Sequence, residues 1–240
     1  MVLTHANILA NARGASEVCG FNERDVSLSW MPLTHDMGLI GFHLVMFFNR
    51  VRAHLMPTEL FIRRPLLWLE FASGVRATIL SSPNFGYKHY LKVLGERPVD
   101  GLDLSSVRLI FNGAEPISVE LCNRFLERMG AARLSRTAMY PVYGLAEASL
   151  AVSFPPPGEA LRTLVADRHH LAVGEPIRLL PAGSQAGIEL VSEGKAIPYC
   201  SVRIVDDMDR ALAQGQCRSR ADQRVECHAG LLRGPGGERR

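Results

Sequence analysis

Between Thr4 and Thr137 the chain alternates stretches of helical apolar spacing with short apolar runs, and this alternation leaves few folds open. Thr4 is a fit N-cap for a helix whose apolar residues Ile8, Leu9, Ala12 and Ala15 recur at helical spacing. Val26–Pro32, Arg52–Met56, Arg76–Ser81, Val107–Phe111 and Thr137–Val142 read as strands. Helical patterns lie between them over Asp36–Asn49, Glu59–Ser73 (interrupted by Pro65), Asn84–Gly95 and Ser118–Gly130. Such spacing predicts an α/β fold, a mostly parallel sheet flanked by helices and joined by right-handed crossovers. After Phe154 the texture changes. Pro155-Pro-Pro-Gly158 breaks any element, the stretch to about Val173 has little period, and a small β-rich subdomain follows, with strands expected at Ile177–Leu180, Ile188–Val191 and Ser201–Val205. The expected division is residues 1–153 as the α/β part, 154–216 as an insertion and β-rich part of the same domain, and 217–240 as an atypical tail.

Composition narrows the function. At 240 residues, 47% hydrophobic and 21% charged, the chain can build a sizeable core and is not a disordered segment. Its formal charge of +3 resides in residues 217–240, which hold six Arg against three acidic residues. The neutral remainder offers no electrostatic footprint for nucleic acid. Five cysteines without a C-x-x-C pair are expected to be free thiols. No apolar run reaches the ~18 residues of a membrane span, since Gly38, Gly41 and His43 break the stretch Met37–Phe48. Met1-Val-Leu-Thr-His5 has no secretory pattern, so a cytoplasmic location is expected.

In open α/β sheets, ligands collect where strands end and helices begin. Three distinctive segments fall there: Met31-Pro-Leu-Thr-His-Asp-Met-Gly38, Phe111-Asn-Gly-Ala-Glu-Pro116 and Tyr140-Pro-Val-Tyr-Gly-Leu-Ala-Glu147. Each alone has an ordinary explanation. Glu147 fits the solvated first turn of a helix, Gly113 an αL turn beside a surface Glu115, and His35 a loop position before an Asp36 N-cap. His169-His170 reads as a surface pair rather than a metal site. The chain holds no G-x-S-x-G, no G-x-x-x-x-G-K-[ST] and no G-x-G-x-x-G, which counts against α/β-hydrolases, P-loop NTPases and dinucleotide enzymes.

Taken together and in order, Val2-x-Thr4-His5-x-Asn7, Pro32-Leu-x-His35-Asp36-Met-Gly38, Asn112-Gly-Ala-Glu-Pro-Ile117 and Tyr143-Gly-Leu-Ala-Glu-Ala148 resemble the adenylate-forming superfamily of acyl-CoA synthetases and nonribosomal adenylation domains. Within it the chain is most similar to the fatty acyl-AMP ligases. His35-Asp-Met-Gly-Leu39, Ser82-Pro-Asn-Phe-Gly-Tyr87 and the stretch Phe154–Gly194 leading to Ser201-Val-Arg-Ile-Val-Asp206 carry that resemblance. It covers residues 2 to about 216, and implies part of an AMP-binding large domain. The implied reaction activates a fatty acid with ATP and Mg2+ to an acyl-adenylate, with release of pyrophosphate. The implied acceptor is the phosphopantetheine thiol of an acyl carrier protein, and an insertion within Phe154–Gly194 would hinder free coenzyme A. By the same resemblance Glu147 is the Mg2+ ligand and, with His35, a catalytic residue. Tyr143 would stack on adenine, Gly144 would admit the phosphates, and Asn112, Gly113, Ala114 and Glu115 would line the nucleotide site. His35 would stand at the mouth of an acyl tunnel, with Pro83-Asn84-Phe85 and the Met37–Phe48 helix as candidate walls. The chemistry agrees: carboxylate and triphosphate repel, so a cation and fixed donors are needed to orient attack on the α-phosphorus.

The family's phosphate loop, ribose-binding Asp and C-terminal lysine are not found in the sequence, so this polypeptide is expected to be a truncated and inactive fragment. From Gln216 onward a one-base shift of permitted codons yields a peptide similar to the family's next strand and Gly-Tyr-Tyr turn, so the tail is expected to be out of frame. Two other readings stay open: a coenzyme A-dependent synthetase fragment, and a non-catalytic adenylate- or acyl-binding module.

Overall fold

The computed structural model describes residues 2–172, 176–205 and 210–212, and the backbone of 223–227. Helix α1 (His5–Cys19) opens with a reciprocal cap. Thr4 Oγ1 accepts the Asn7 amide at 3.2 Å while Asn7 Oδ1 accepts the Thr4 amide at 3.0 Å. It closes on Gly20 in the left-handed region at φ 60°.

Five strands follow, β1 (Val26–Ser29), β2 (Arg52–Leu55), β3 (Ile79–Ser81), β4 (Leu109–Asn112) and β5 (Met139–Pro141). They pair all in parallel in the order β2-β1-β3-β4-β5. The connections are a π-helix over Met37–Leu44 running into α2 (Val45–Phe48), then α3 (Thr58–Arg63), α4 (Leu66–Gly74), α5 (Asn84–Leu94) and α6 (Val119–Gly130). The mostly parallel, helix-flanked sheet that the alternation predicts is therefore present.

Period-two alternation along β4 assigns the two faces of the sheet. Asn112 turns toward α6, where its Nδ2 lies 3.2 Å from Cys122 Sγ. On that side α4, α5 and α6 bury Trp68, Tyr87, Tyr90 and Phe125, with the Tyr87 and Phe125 rings 4.9 Å apart. Phe111 turns the other way, toward the π-helix, where its ring centroid is 5.6 Å from that of Phe42.

Beyond the sheet lie β6 (Tyr143–Gly144), a single 3-10 turn (Ala146–Ala148), β7 (Ala151–Phe154), β8 (Thr163–Asp167), β9 (Gly187–Val191), β10 (Lys195–Ala196), β11 (Cys200–Ile204) and β12 (Gln223–Cys227). Every pairing among them is antiparallel: β10-β7-β6, β8-β9 and β11-β12. This is the β-rich part, with three differences from expectation. The stretch read as lacking period holds β8, whose only buried residue is Ala166, so no apolar alternation marks it. Ile177–Leu180 contributes only a bridge, Leu179 to Ala166. And Gln223–Cys227, in the tail read as patternless, pairs with β11. The rest of 217–240, and with it the out-of-frame expectation, lies outside the described residues.

Candidate active site

The C-terminal ends of β1, β4 and β5 open on one cavity of about 450 Å3. His35, Gly113, Ala114, Tyr143 and Gly144 all line it, so the structure brings together five of the residues singled out in the sequence. Each is placed by local backbone demands. The amide of Val142 donates to the Asn112 carbonyl at 2.9 Å, extending the β4–β5 ladder past its last strand residues. A Cβ on Gly113 would lie 2.8 Å from the Val142 carbonyl oxygen, so only glycine lets the two chain ends meet there. The left-handed residue of this turn is Ala114, at φ 70°, not Gly113 as the sequence suggested. Gly144 is needed for the same reason as Gly113: a Cβ there would overlap the Leu150 carbonyl oxygen.

His35 sits between β1 and the π-helix. Its Nδ1 stands 2.7 Å from Asp36 Oδ1 and 3.1 Å from the Met37 amide, while Asp36 Oδ1 accepts that amide at 2.7 Å and caps the π-helix. π-Turns recur at functional sites. Here the wider turn and Gly38, whose Cβ would overlap the Pro32 carbonyl oxygen, seat the helix against the end of β1. Met37, Gly41, Phe42, Val45 and Met46 of this helical stretch line the cavity. Pro83, Asn84 and Phe85 do not line it. Phe85 is exposed, with its ring on edge to Trp30.

Three other candidates stand apart from the cavity lining. Asn112 is buried and points to the opposite face, where its Nδ2 also donates to Asn84 Oδ1 at 3.3 Å. Glu115 accepts the Phe85 amide at 2.7 Å and caps the start of α5, while the Asn84 side chain donates to the Pro116 carbonyl. Glu147 is exposed on the 3-10 turn beside Ala146, which lines the cavity, and no hydrogen bond or ion pair holds its carboxylate among the described residues. The turn replaces the longer helix expected there, because Ser149 takes φ 72°.

One residue that holds the site was missed in the sequence. Asn11, 4% exposed in the middle of α1, receives the Ala151 amide at 3.0 Å. It donates to the Ala151 and Ala148 carbonyls at 2.7 and 3.2 Å. It thereby ties the 146–151 segment to α1. An Asn among the small apolar residues of a helix face was the available signal.

Below the cavity Asp25 and Arg108 form a bidentate pair at 2.8 and 2.7 Å, across the N-terminal ends of β1 and β4. Burial pushes the Asp25 carboxyl up, but hydrogen bonds from Arg108 and Thr78 outweigh it and hold the group below its ordinary value. Cys19 is buried, and desolvation pushes its thiol up to about 12, so it is an inert thiol. No cluster of three metal-ligating side chains occurs among the described residues, and none of their helices is long and apolar enough to cross a membrane.

An α/β sheet with a cavity at the carboxyl ends of its strands, bordered by two glycine-dependent backbone approaches, has the placement at which folds of this class bind ligands. The family model of AMP-binding enzymes matches residues 1–216, and the chain belongs to that family. It is similar to a 4-hydroxyphenylalkanoate adenylyltransferase of Mycobacterium tuberculosis, 38% identical over 213 residues that make up 88% of this chain and 34% of that protein. A medium-chain-fatty-acid–[acyl-carrier-protein] ligase of Teredinibacter turnerae is 34% identical over 210 residues, 88% of this chain and 32% of that protein. A fatty acid AMP ligase from Legionella pneumophila superposes with a TM-score of 0.85 at 32% identity, covering 93% of this chain and 40% of that one. The chain thus spans about a third of the length of the curated relatives it matches.

Proposed function

We propose that this chain carries the adenylate-binding part of an AMP-forming ligase, which activates a fatty acid with ATP to the acyl-adenylate and passes the acyl group to an acyl carrier protein. The observation that carries the reading is the convergence of Gly113–Ala114, Tyr143–Gly144 and His35 on one cavity whose deeper wall is apolar. In this reading Tyr143 stacks on the adenine and the Gly113–Ala114 backbone flanks its other side. A carboxylate oxygen of the fatty acid attacks the α-phosphorus, forming the C–O–P linkage, and the bond to pyrophosphate breaks. His35, at the mouth between β1 and the π-helix, orients the attacking carboxylate.

The donor set fits Mg2+. A lone exposed carboxylate, Glu147, beside a nucleotide cavity is what that ion takes when it keeps several waters and binds through substrate phosphates. When bound, the ion offsets the charge of the triphosphate. Relatives named as acyl-carrier-protein ligases support the carrier as acceptor. The antiparallel pair β8-β9, within the stretch Phe154–Gly194, is the candidate insertion that would disfavour free coenzyme A.

The test is pyrophosphate release from ATP, Mg2+ and a fatty-acid panel, with this chain alone and with the chain extended to the length of its relatives. Turnover is expected in the extended protein, with acyl transfer to a phosphopantetheinylated carrier. An extended, folded protein that releases no pyrophosphate with any acid would overturn the proposal, and thioester formation on free coenzyme A would reassign the acceptor.

A further inference from the structure

We propose that Cys200 and Cys227 are a disulfide-forming pair, a covalent modification site that staples β12 to the body of the domain in the presence of a disulfide oxidant. The β11–β12 register sets the two residues directly opposite one another in an antiparallel pair, and it runs without a slip from Cys200–Cys227 to Ile204–Gln223. Opposite residues of such a pair share one face of the sheet. Their Cα atoms lie about 4.5–5.5 Å apart, inside the ~4.4–6.8 Å that a disulfide spans. Cys19 and Cys122 do not compete. Both are buried, and desolvation pushes their thiols up to about 12 and about 11, whereas Cys200 is only half-buried.

One end of the staple is fixed. Immediately before Cys200, the Tyr199 hydroxyl donates to Glu17 Oε1 at 3.0 Å, and the guanidinium carbon of Arg13 lies 5.4 Å from the centre of the Tyr199 ring. A Cβ on Gly14 would overlap the Pro198 carbonyl oxygen, so β11 begins pressed onto α1. The pairing of β12 has weaker means of its own. A two-stranded ribbon is marginal by itself, and the register sets Arg203 opposite Arg224, two like charges. β12 meets α1 and the 3-10 turn Ala146–Ala148, which carries Glu147 and whose Ala146 lines the cavity. A bond between residues 200 and 227 therefore holds β12 beside that turn. With glutathione disulfide as oxidant, the two cysteine sulfurs join in one S–S bond and the S–S bond of the oxidant breaks. The two thiol hydrogens end on the sulfurs of two released glutathione molecules, so the cysteine pair is oxidised by two electrons and the glutathione pair reduced by two.

The experiment incubates the full chain with glutathione disulfide or with excess reduced glutathione, blocks remaining thiols by alkylation, and maps tryptic peptides of the monomer by mass spectrometry. Trypsin separates the relevant cysteines, with Cys200 in peptide 196–203, Cys217 in 211–218 and Cys227 in 225–233. Oxidation should join 196–203 to 225–233 and raise the thermal midpoint by about 5–10 °C over the reduced chain. Cys227→Ser should abolish both changes, and Cys217→Ser should abolish neither. An oxidised monomer that carries only mixed disulfides with glutathione, or that joins Cys217 to Cys200 or Cys227 instead, would overturn the pair. So would a 196–203 to 225–233 linkage found only between two chains. The expected linkage without a rise in midpoint would overturn the staple.

Discussion

Gly113 and Val142 meet backbone to backbone at the ends of β4 and β5, where a Cβ on residue 113 would come within 2.8 Å of the Val142 carbonyl oxygen. Gly144 meets Leu150 in the same way one turn further on. Both approaches shape the cavity wall, so methyl groups at these positions should act on binding and on stability together. Gly113→Ala and Gly144→Ala are each expected to cost about 1–3 kcal/mol of stability by overpacking. Each should weaken an acyl-adenylate analogue by more than tenfold. Urea titration and calorimetry on the same samples check this. Unchanged binding in a folded Gly144→Ala protein would show that the close approach does not shape the site.

Tyr143 and Glu147 should separate the two halves of the ligand. Loss of the ring in Tyr143→Ala is expected to weaken an acyl-sulfamoyl adenosine by about tenfold, the scale of a lost aromatic contact with its buried area. Glu147→Gln should leave that triphosphate-free analogue bound while lowering the affinity for ATP only when Mg2+ is present. A Glu147→Gln effect of equal size with and without Mg2+ would remove the carboxylate from the metal's coordination.

Asn11 links α1 to the site segment through three hydrogen bonds to backbone, all buried. Asn11→Ala removes all three buried hydrogen bonds, an expected loss of about 1–3 kcal/mol. Asn11→Asp supplies an acceptor for the amide but no donor for the carbonyls, and should fall no higher than Asn11→Ala. Chemical denaturation ranks the three. A wild-type-like midpoint for Asn11→Ala would mean that water replaces all three bonds.

Which parts of this molecule could be read in advance follows from how each announces itself. The parallel sheet was legible because β3, β4 and β5 are buried at every position and so are mostly apolar runs, set between helical patterns. β8 was not, since four of its five residues carry no burial signal. The Asp36–Asn49 stretch read correctly as helix, but apolar content cannot distinguish an i→i+4 ladder from the π-turn over Met37–Leu44. For the site, the glycines were found for a partly wrong reason. Spacing marked Gly113 as a turn residue, whereas Ala114 carries the left-handed conformation and Gly113 supplies clearance. Asn112 and Glu115 share the motif with them but face other contacts. Alternation along β4 turns Asn112 to α6, and Glu115 is engaged at the start of α5. A linear motif gives no sign of which of its members point inward.

Glu115 should therefore behave as a helix cap. Its carboxylate accepts the Phe85 amide at 2.7 Å at the first turn of α5, where a negative charge also suits the helix dipole. Glu115→Ala is expected to lower stability by about 0.5–2 kcal/mol, and Glu115→Gln, which keeps the acceptor oxygen, by less. Denaturant midpoints decide between this and a direct ligand role. Under a ligand role, Glu115→Gln would weaken the adenylate analogue as much as Glu115→Ala while leaving the midpoint unmoved.

The Asp25–Arg108 pair should leave a signature in acid. Asp25 is 4% exposed and its folded-state carboxyl titrates below the ordinary value, because the Arg108 and Thr78 hydrogen bonds overcome burial. A depressed carboxyl contributes stability that is fully present above its unfolded value of about 3.9, and that is lost as pH falls through the lower folded value. The denaturation midpoint of the wild type should thus decline with acid over that window. Asp25→Asn should show a shallower decline, the difference isolating this group from the other carboxylates. Arg108→Ala reverses the sign: it leaves a buried charge without its partner, which costs about 3–5 kcal/mol at neutral pH and raises the Asp25 carboxyl above its unfolded value. Part of that loss is then recovered as acid neutralises the group. Urea titrations from neutral pH into acid on the three proteins provide the check. Parallel pH profiles for wild type and Arg108→Ala would mean that the pair does not control the titration of Asp25.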